Sequence, residues 1–330
     1  MSNNGILVHC EITESKLDPI SLELLGAGSR LAQDLGQDLT AVLIGSNITS
    51  LAQEVIAYGA NKVYVVDHLH LKDYLPDLYL AAMEKVFKET LPAIMLFGQT
   101  QIGRDLTPRL AFRLNTAAIL DCVALSIDQT SKRMIMTKPV YGGNAQAILI
   151  CETNPQIATL RSKASSPITK DGNRKGEIVN VALEIDPATV SMKLLDRKIE
   201  TENGVKLVDA RVIVSGGRGI GNADGFKQLD YLAKLLKGAL GASRPPCDNK
   251  WISDSLQIGL TGKIVSPELY FAVAISGASQ HLSGCSGAKI IIAINKDKEA
   301  NIFKIAHYGV IADWKKVIPA LIENIEKMVK

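Results

Sequence analysis

The sequence predicts an α/β protein of two domains, each an open, mostly parallel sheet flanked by helices. Three observations carry this expectation. At 330 residues the chain is longer than one typical domain. Short, apolar, β-branched runs alternate with segments of helical period, the pattern of a parallel sheet covered on both faces. Late in the chain, "ARVIVSGGRGIG" restarts that alternation after a charged, turn-rich stretch. Hydrophobic residues make up 47% and charged residues 22%, a balance that supports a sizeable core.

The elements follow in order. "ISLELLGAGSRLAQDLG" places Leu24, Gly28, Leu31 and Leu35 on one helical face and stops at Gly36. "LTAVLIGS" is wholly apolar, as a strand buried on both faces must be. The cycle continues with a helix from Ile48 to Tyr58, a strand at "KVYVVD" and a helix from Tyr74 to Lys88. A strand at "AIMLFG" and a helix from Gly103 to Leu114 follow, in which Thr107, Pro108 and Arg109 read as packing residues. From Met134 to Leu160 closely spaced strands suggest an added antiparallel edge. Turn residues and charges cluster in "TKDGNRKGE" and in "LDRKIETENGVK", and the second cluster is the expected boundary, giving domains 1–200 and 201–330. Beyond it come a helix at "FKQLDYLAKLLKGAL", strands at "LYFAVAI" and "KIIIAIN", and a closing helix with Val317, Leu321, Ile325 and Met328 on one face.

Composition narrows the function. A net charge of +3 is small for this length and argues against a nucleic-acid binder. The five cysteines, Cys10, Cys122, Cys151, Cys247 and Cys285, are scattered and odd in number, which predicts free thiols rather than a disulfide framework. His68 and His70 have no partner at metal-ligand spacing. No apolar run reaches the length of a membrane span, and "MSNNGILVHCEI" lacks a signal-peptide layout. The expected location is the cytoplasm, or the mitochondrial matrix for a processed eukaryotic chain.

"VIVSGGRGIG" is a strand running into a glycine turn, where backbone N–H groups can face a phosphate. It does not complete a dinucleotide fingerprint, because Asn222 stands where a third glycine is needed, and "GLTGK" lacks the earlier glycine and the Ser or Thr of a P-loop. A short-chain dehydrogenase would carry such a turn near its N-terminus rather than near residue 215. The turn does have company: Ser243-Arg244, Gly259 to Lys263, Ser276 to His281, Asn295 and Asp313 fall at or near the ends of predicted strands, where open α/β sheets bind ligands. Glycines and small donors suit a pyrophosphate, Asn and Asp suit sugar hydroxyls, and charged or imidazole groups suit a ring.

In "VSGGRG", "GASR", "TGKIVSPELY", "ISGASQHLSG" and "IIAINKD", in that order and spacing, the chain resembles the α subunit of electron transfer flavoprotein. The resemblance covers essentially the whole chain and is strongest from Arg211 to Trp314. It implies a C-terminal doubly wound domain that binds FAD through Arg218, Ser243, Arg244, Ile258, Gly259, Leu260, Thr261, Ser276, Gly277, Ala278, Ser279, Gln280, His281, Asn295, Asp313 and Trp314. Arg244, Thr261 and His281 would approach the flavin ring, Ser276 and Gln280 the ribityl-pyrophosphate, and Asn295 and Asp313 the adenosine half. It also implies a heterodimer with a β subunit holding AMP or a second FAD. That pair would carry electrons from a dehydrogenase, such as an acyl-CoA dehydrogenase, to a further redox acceptor, with electron bifurcation depending on the β subunit, and would turn over no substrate itself. The chain departs from the family pattern at Leu260 (usually Gln), Ala274 (usually Gly), His307 (usually acidic) and Asn249-Lys250 (usually small). Two other functions compete: a stand-alone nicotinamide-dependent oxidoreductase, for which a nicotinamide-binding fingerprint is missing, and a nucleotide-binding regulatory module built on the first half.

Overall fold

The computed structural model describes residues 3–143, 145–185, 192, 194–196 and 205–329. The chain opens with β1 (Ile6–Cys10), the short strands β2 (Ile12–Thr13) and β3 (Lys16–Leu17), α1 (Pro19–Leu35) and β4 (Leu39–Gly45). Next come α2 (Ala52–Ala57), β5 (Lys62–Asp67), α3 (Pro76–Thr90), β6 (Ile94–Gly98), α4 (Gln101–Arg113) and β7 (Ala118–Cys122). The strands β8 (Ala124–Ile127), β9 (Met134–Val140), β10 (Ala145–Ile150), β11 (Gln156–Leu160) and β12 (Glu177–Asn180) complete the first half. The second half contains β13 (Val212–Gly216), α5 (Ala223–Leu235), β14 (Ala239–Ala242), α6 (Arg244–Asp248) and β15 (Leu269–Val273). It ends with α7 (Ser279–Cys285), β16 (Ile290–Asn295), β17 (Tyr308–Ile311) and α8 (Trp314–Val329).

These elements form two compact units, one of Met1–Pro139 with Gln146–Lys198 and the other of Val140–Ala145 with Ile199–Lys330. The sequence boundary at 200/201 lies outside the described residues. The segment 140–145, assigned from sequence to the first domain, groups with the second unit.

The first unit is a seven-stranded parallel sheet in the order β12-β5-β4-β1-β6-β11-β7. Its central strands are apolar on both faces because helices cover both: Val8, Leu43 and Val65 face one cluster, and Leu7, Val42 and Tyr64 the other. Local chemistry sets the helix ends. Asp18 accepts the Ile20 N–H ahead of Pro19, and Gly36 closes α1 at φ 63, a left-handed position that glycine fills at no steric cost. The expected antiparallel edge is a separate three-stranded sheet, β10-β9-β8, while β11 returns to the parallel sheet between β6 and β7. Close spacing in sequence had made these strands look like one ladder. All five cysteines are free and buried.

The second unit is a five-stranded parallel sheet in the order β14-β13-β15-β16-β17. Here the expected helix 226–240 is corrected: α5 ends at Leu235, Lys237 takes φ 52, and Ala239–Ala242 form β14. On α8 the buried anchor is Ile318; Val317, Leu321 and Ile325 pack beside it, but Met328 is 85% exposed, beyond the end of the sheet's cover. Among the described residues, no helix is long and apolar enough to cross a membrane.

Candidate functional site

Five parallel strands deliver five loops to the carboxyl edge of the second sheet, and the sequence-predicted residues lie on those loops. After β13 the chain enters a tight turn at Gly217. A Cβ there would lie 2.1 Å from the Ala274 carbonyl oxygen, so the loops after β13 and β15 meet backbone to backbone. The turn is pinned from outside by Trp314, whose Nε1–H donates to the Gly219 carbonyl at 3.1 Å. Trp314 is itself buried and supports the loop. Arg218, one residue along, is exposed.

After β14, Ser243 is buried and its N–H donates to the Gly216 carbonyl. It heads α6 without a side-chain capping bond. Arg244 begins that helix, exposed, with Nε 3.3 Å from Asp248 Oδ2. An exposed i,i+4 pair of this kind contributes at most about 0.5 kcal/mol, so the guanidinium can exchange Asp248 for another acceptor at little cost.

The segment from Gln257 to Val265 and helix α7 are laced together. The Leu260 N–H donates to the Gln280 carbonyl at 2.8 Å and the Val265 N–H to the Gly284 carbonyl at 2.8 Å. Gly259, at φ 152, lies against the backbone of Gln280. Because the Leu260 bond is a backbone bond, the path of the loop does not depend on which side chain stands at 260. The Thr261 hydroxyl accepts from Gln257 Nε2 at 3.0 Å.

His281 turns its imidazole inward. It is 5% exposed, with Nδ1 3.0 Å from the Ile258 carbonyl and Nε2 3.0 Å from the Tyr270 hydroxyl. A carbonyl only accepts, so Nδ1 carries the proton and Nε2 receives the Tyr270 O–H. Burial holds the imidazole neutral, lowering its pKa to about 4. In this arrangement the His281 imidazole fastens the 258 loop to α7. Tyr270, fully buried on β15, is the partner that sequence reasoning missed, because a strand tyrosine carries no signal of its own.

After β15, Ala274 takes φ 53, in the left-handed region where glycine alone carries no steric cost. Gly277 takes φ 83, and a Cβ on it would lie 2.2 Å from the Ile302 amide nitrogen. Ser276, Ala278, Ser279 and Gln280 are exposed. The residue before α7 is Ala278, which provides no side-chain cap for the amides of its first turn. Asn295, at the end of β16, donates to the Ile275 carbonyl at 2.9 Å and accepts from the Asp297 N–H at 3.0 Å, bridging two loops. Asp313 caps α8 by accepting the Lys315 N–H at 3.0 Å.

The edge thus combines two exposed guanidinium groups, a row of small exposed hydroxyl and amide side chains, and the start of α7, which has no side-chain cap. Glycines bring the backbone close at 217, 259 and 277. This donor-rich set suits a long anionic ligand that accepts hydrogen bonds along its length, as FAD does.

Comparison with known proteins points the same way. The family model for the electron transfer flavoprotein domain matches residues 6–186, and that for the electron transfer flavoprotein FAD-binding domain matches residues 206–286. The electron transfer flavoprotein subunit alpha of Thermoanaerobacterium thermosaccharolyticum is 42% identical over 324 residues, covering 98% of each chain. That of Megasphaera elsdenii is 43% identical over 326 residues, covering 98% of this chain and 96% of its own. The lactate dehydrogenase (NAD(+),ferredoxin) subunit LctC of Acetobacterium woodii is 33% identical over 323 residues, covering 98% of this chain and 77% of its own. With both halves matched and α subunits aligned end to end, the chain belongs to the electron transfer flavoprotein family, and its second half carries that family's FAD-binding domain.

Proposed function

We propose that this chain is the FAD-holding α subunit of a heterodimeric electron carrier, with residues 201–330 as the cofactor domain and the carboxyl edge of the second sheet as the site. The observation that supports it best is the type of charge at that edge. Arg218 and Arg244 are permanent, exposed cations, while the one imidazole of the motif is buried and neutral. Such a site stabilises negative charge and is poorly equipped to move protons to or from a substrate. FAD, when bound, supplies an electron-accepting ring on which reduction adds negative charge.

Ser276, Ser279 and Gln280 would hold the ribityl-pyrophosphate, with Gly277 and Ala278 giving it backbone access. Gly259, Leu260 and Thr261 would line the ring from the 258 loop. Ser243, Ile258, His281, Asn295, Asp313 and Trp314 would act mainly by fixing these loops. The partner in this reading is a β subunit carrying AMP or a second FAD. The electron donor is a dehydrogenase such as an acyl-CoA dehydrogenase, and a further redox protein is the acceptor. The name of the LctC relative, with both NAD(+) and ferredoxin in it, supports keeping electron bifurcation within this reading.

Arg244 supplies the test. Arg244 is the first residue of α6, helical although a proline follows it, and its exposed side chain starts from there. Arg244→Ala should lower the first one-electron potential of the bound FAD by tens of millivolts, since about 59 mV corresponds to 1.4 kcal/mol for one electron. Arg244→Lys should recover part of the loss, because a point charge replaces a planar fork. The measurement is a spectroelectrochemical titration at fixed pH with flavin occupancy checked. An unchanged potential in a fully loaded Ala variant removes Arg244 from the ring.

A further inference from the structure

We propose that the turn Tyr141–Gly143, between β9 and β10, is a positioning element of the cofactor site that seats the first turn of α7. The inference rests on the assignment of FAD to the carboxyl edge of the second sheet. Tyr141, Gly142 and Gly143 take φ values of 52, 70 and 93. The two glycines adopt such angles freely, whereas Tyr141 takes one at a cost that surrounding packing must offset.

The packing is identifiable. The turn belongs to the same compact unit as α7. A Cβ built on Gly142 would lie 3.1 Å from the Ser279 carbonyl oxygen and 3.2 Å from the Ser279 Cβ, and one on Gly143 would lie 3.3 Å from Ser286 Oγ. The turn therefore touches α7 at its first residue and again just past its last. Both glycines combine a positive φ with a close approach, tight against the Ser279 backbone at Gly142 and against the Ser286 hydroxyl at Gly143. Helix α7 is seven residues long and lacks a side-chain cap, so it depends on its neighbours for orientation. The His281 pin to Ile258 is one support and the turn is a second. Ser279 is the residue the turn touches, and Ser279 and Gln280 are the residues offered to the cofactor.

The test uses the full chain loaded with FAD, with Gly142→Ala and Gly142→Val, and Gly172→Ala as a control because nothing lies within 4 Å of a Cβ at Gly172. Three readouts are taken: the Kd for FAD, hydrogen exchange across 279–285, and the urea midpoint from tryptophan fluorescence. Gly142→Ala should weaken FAD binding by about tenfold and speed exchange across α7 while leaving the midpoint close to wild type, with a larger effect for Val and none for Gly172→Ala. Wild-type affinity in Gly142→Ala, or a loss of affinity fully accounted for by a lower midpoint, overturns the proposal. Gly277→Val run in parallel separates the two ideas. Loss of FAD there with a normal Gly142→Ala removes only the role of the turn, whereas FAD retained in both removes the cofactor assignment itself.

Discussion

Gly277→Val should yield a chain that purifies without flavin and with a weakened second unit. Two independent effects act at this position. The backbone sits at φ 83, where a β-branched residue is strained, at about 1–2 kcal/mol. The new Cβ would lie 2.2 Å from the Ile302 nitrogen and 2.7 Å from its Cα, both backbone atoms that no rotamer change can move aside. Overpacking of that kind costs about 1–3 kcal/mol more. The bond that must yield is Ile302 N–H to the Ser276 carbonyl, at 3.1 Å, which anchors the loop assigned to the pyrophosphate. Fold and site should therefore fail together. Absorbance at the flavin bands per mole of chain, beside a urea midpoint, checks this; full flavin loading with a wild-type midpoint would sink it.

The second large effect is acid lability of the second unit. His281 titrates at about 4 in the folded chain against 6.5 for the free side chain, because burial penalises its charged form. Between those values the unfolded chain binds a proton that the folded chain refuses, so stability is complete above about pH 6.5 and is lost as the pH falls toward 4. The loss amounts to roughly 2 kcal/mol by pH 5 and about 3 kcal/mol by pH 4. The first unit is balanced differently. Burial lowers His9 to about 4, acting in the same direction, but burial also raises Glu11 and Glu23 to about 7, and those two groups gain stability as the pH falls through 7 toward 4.5. Trp251 and Trp314 are the two tryptophans of the chain and both lie in the second unit, so their fluorescence reports that unit alone. The urea midpoint so measured should fall between pH 7.5 and 5, and His281→Phe should flatten that dependence. A midpoint that does not move with pH in the wild-type chain contradicts a neutral, buried His281.

Legibility in the sequence followed side-chain pattern. Strands β4 and β5 were readable because a strand buried on both faces must be a continuous β-branched run, and α1 because its stop is a glycine in the left-handed region. Strand β14 was not readable, since Ala-Leu-Gly-Ala has the small residues of a helix and earns its place by fit: a Cβ on Gly238 just before it would lie 2.4 Å from the Val212 carbonyl oxygen. Strands β12 and β17 were missed because they are exposed sheet edges with no buried run to mark them. At the candidate site, the loops were found from linked motifs, but the division of labour within them was not. The side chain of His281 points into the protein because Ile258 and Tyr270 are there to receive it, and neither partner is adjacent in sequence. The same holds for Trp314 on Gly219 and Asn295 on Ile275. Residue type announced capacity for hydrogen bonding, and tertiary packing decided which capacity was already spent.

Hydrogen exchange of the full chain with and without FAD, resolved by peptide, tests most directly where the cofactor lies. Protection on FAD binding should fall in 217–221, 243–247, 258–263 and 276–282, and the loops that follow β1, β4 and β6 in the first unit should exchange unchanged. Protection concentrated in those first-unit loops, with 258–263 and 276–282 unaffected, would contradict a flavin site at the carboxyl edge of the second sheet.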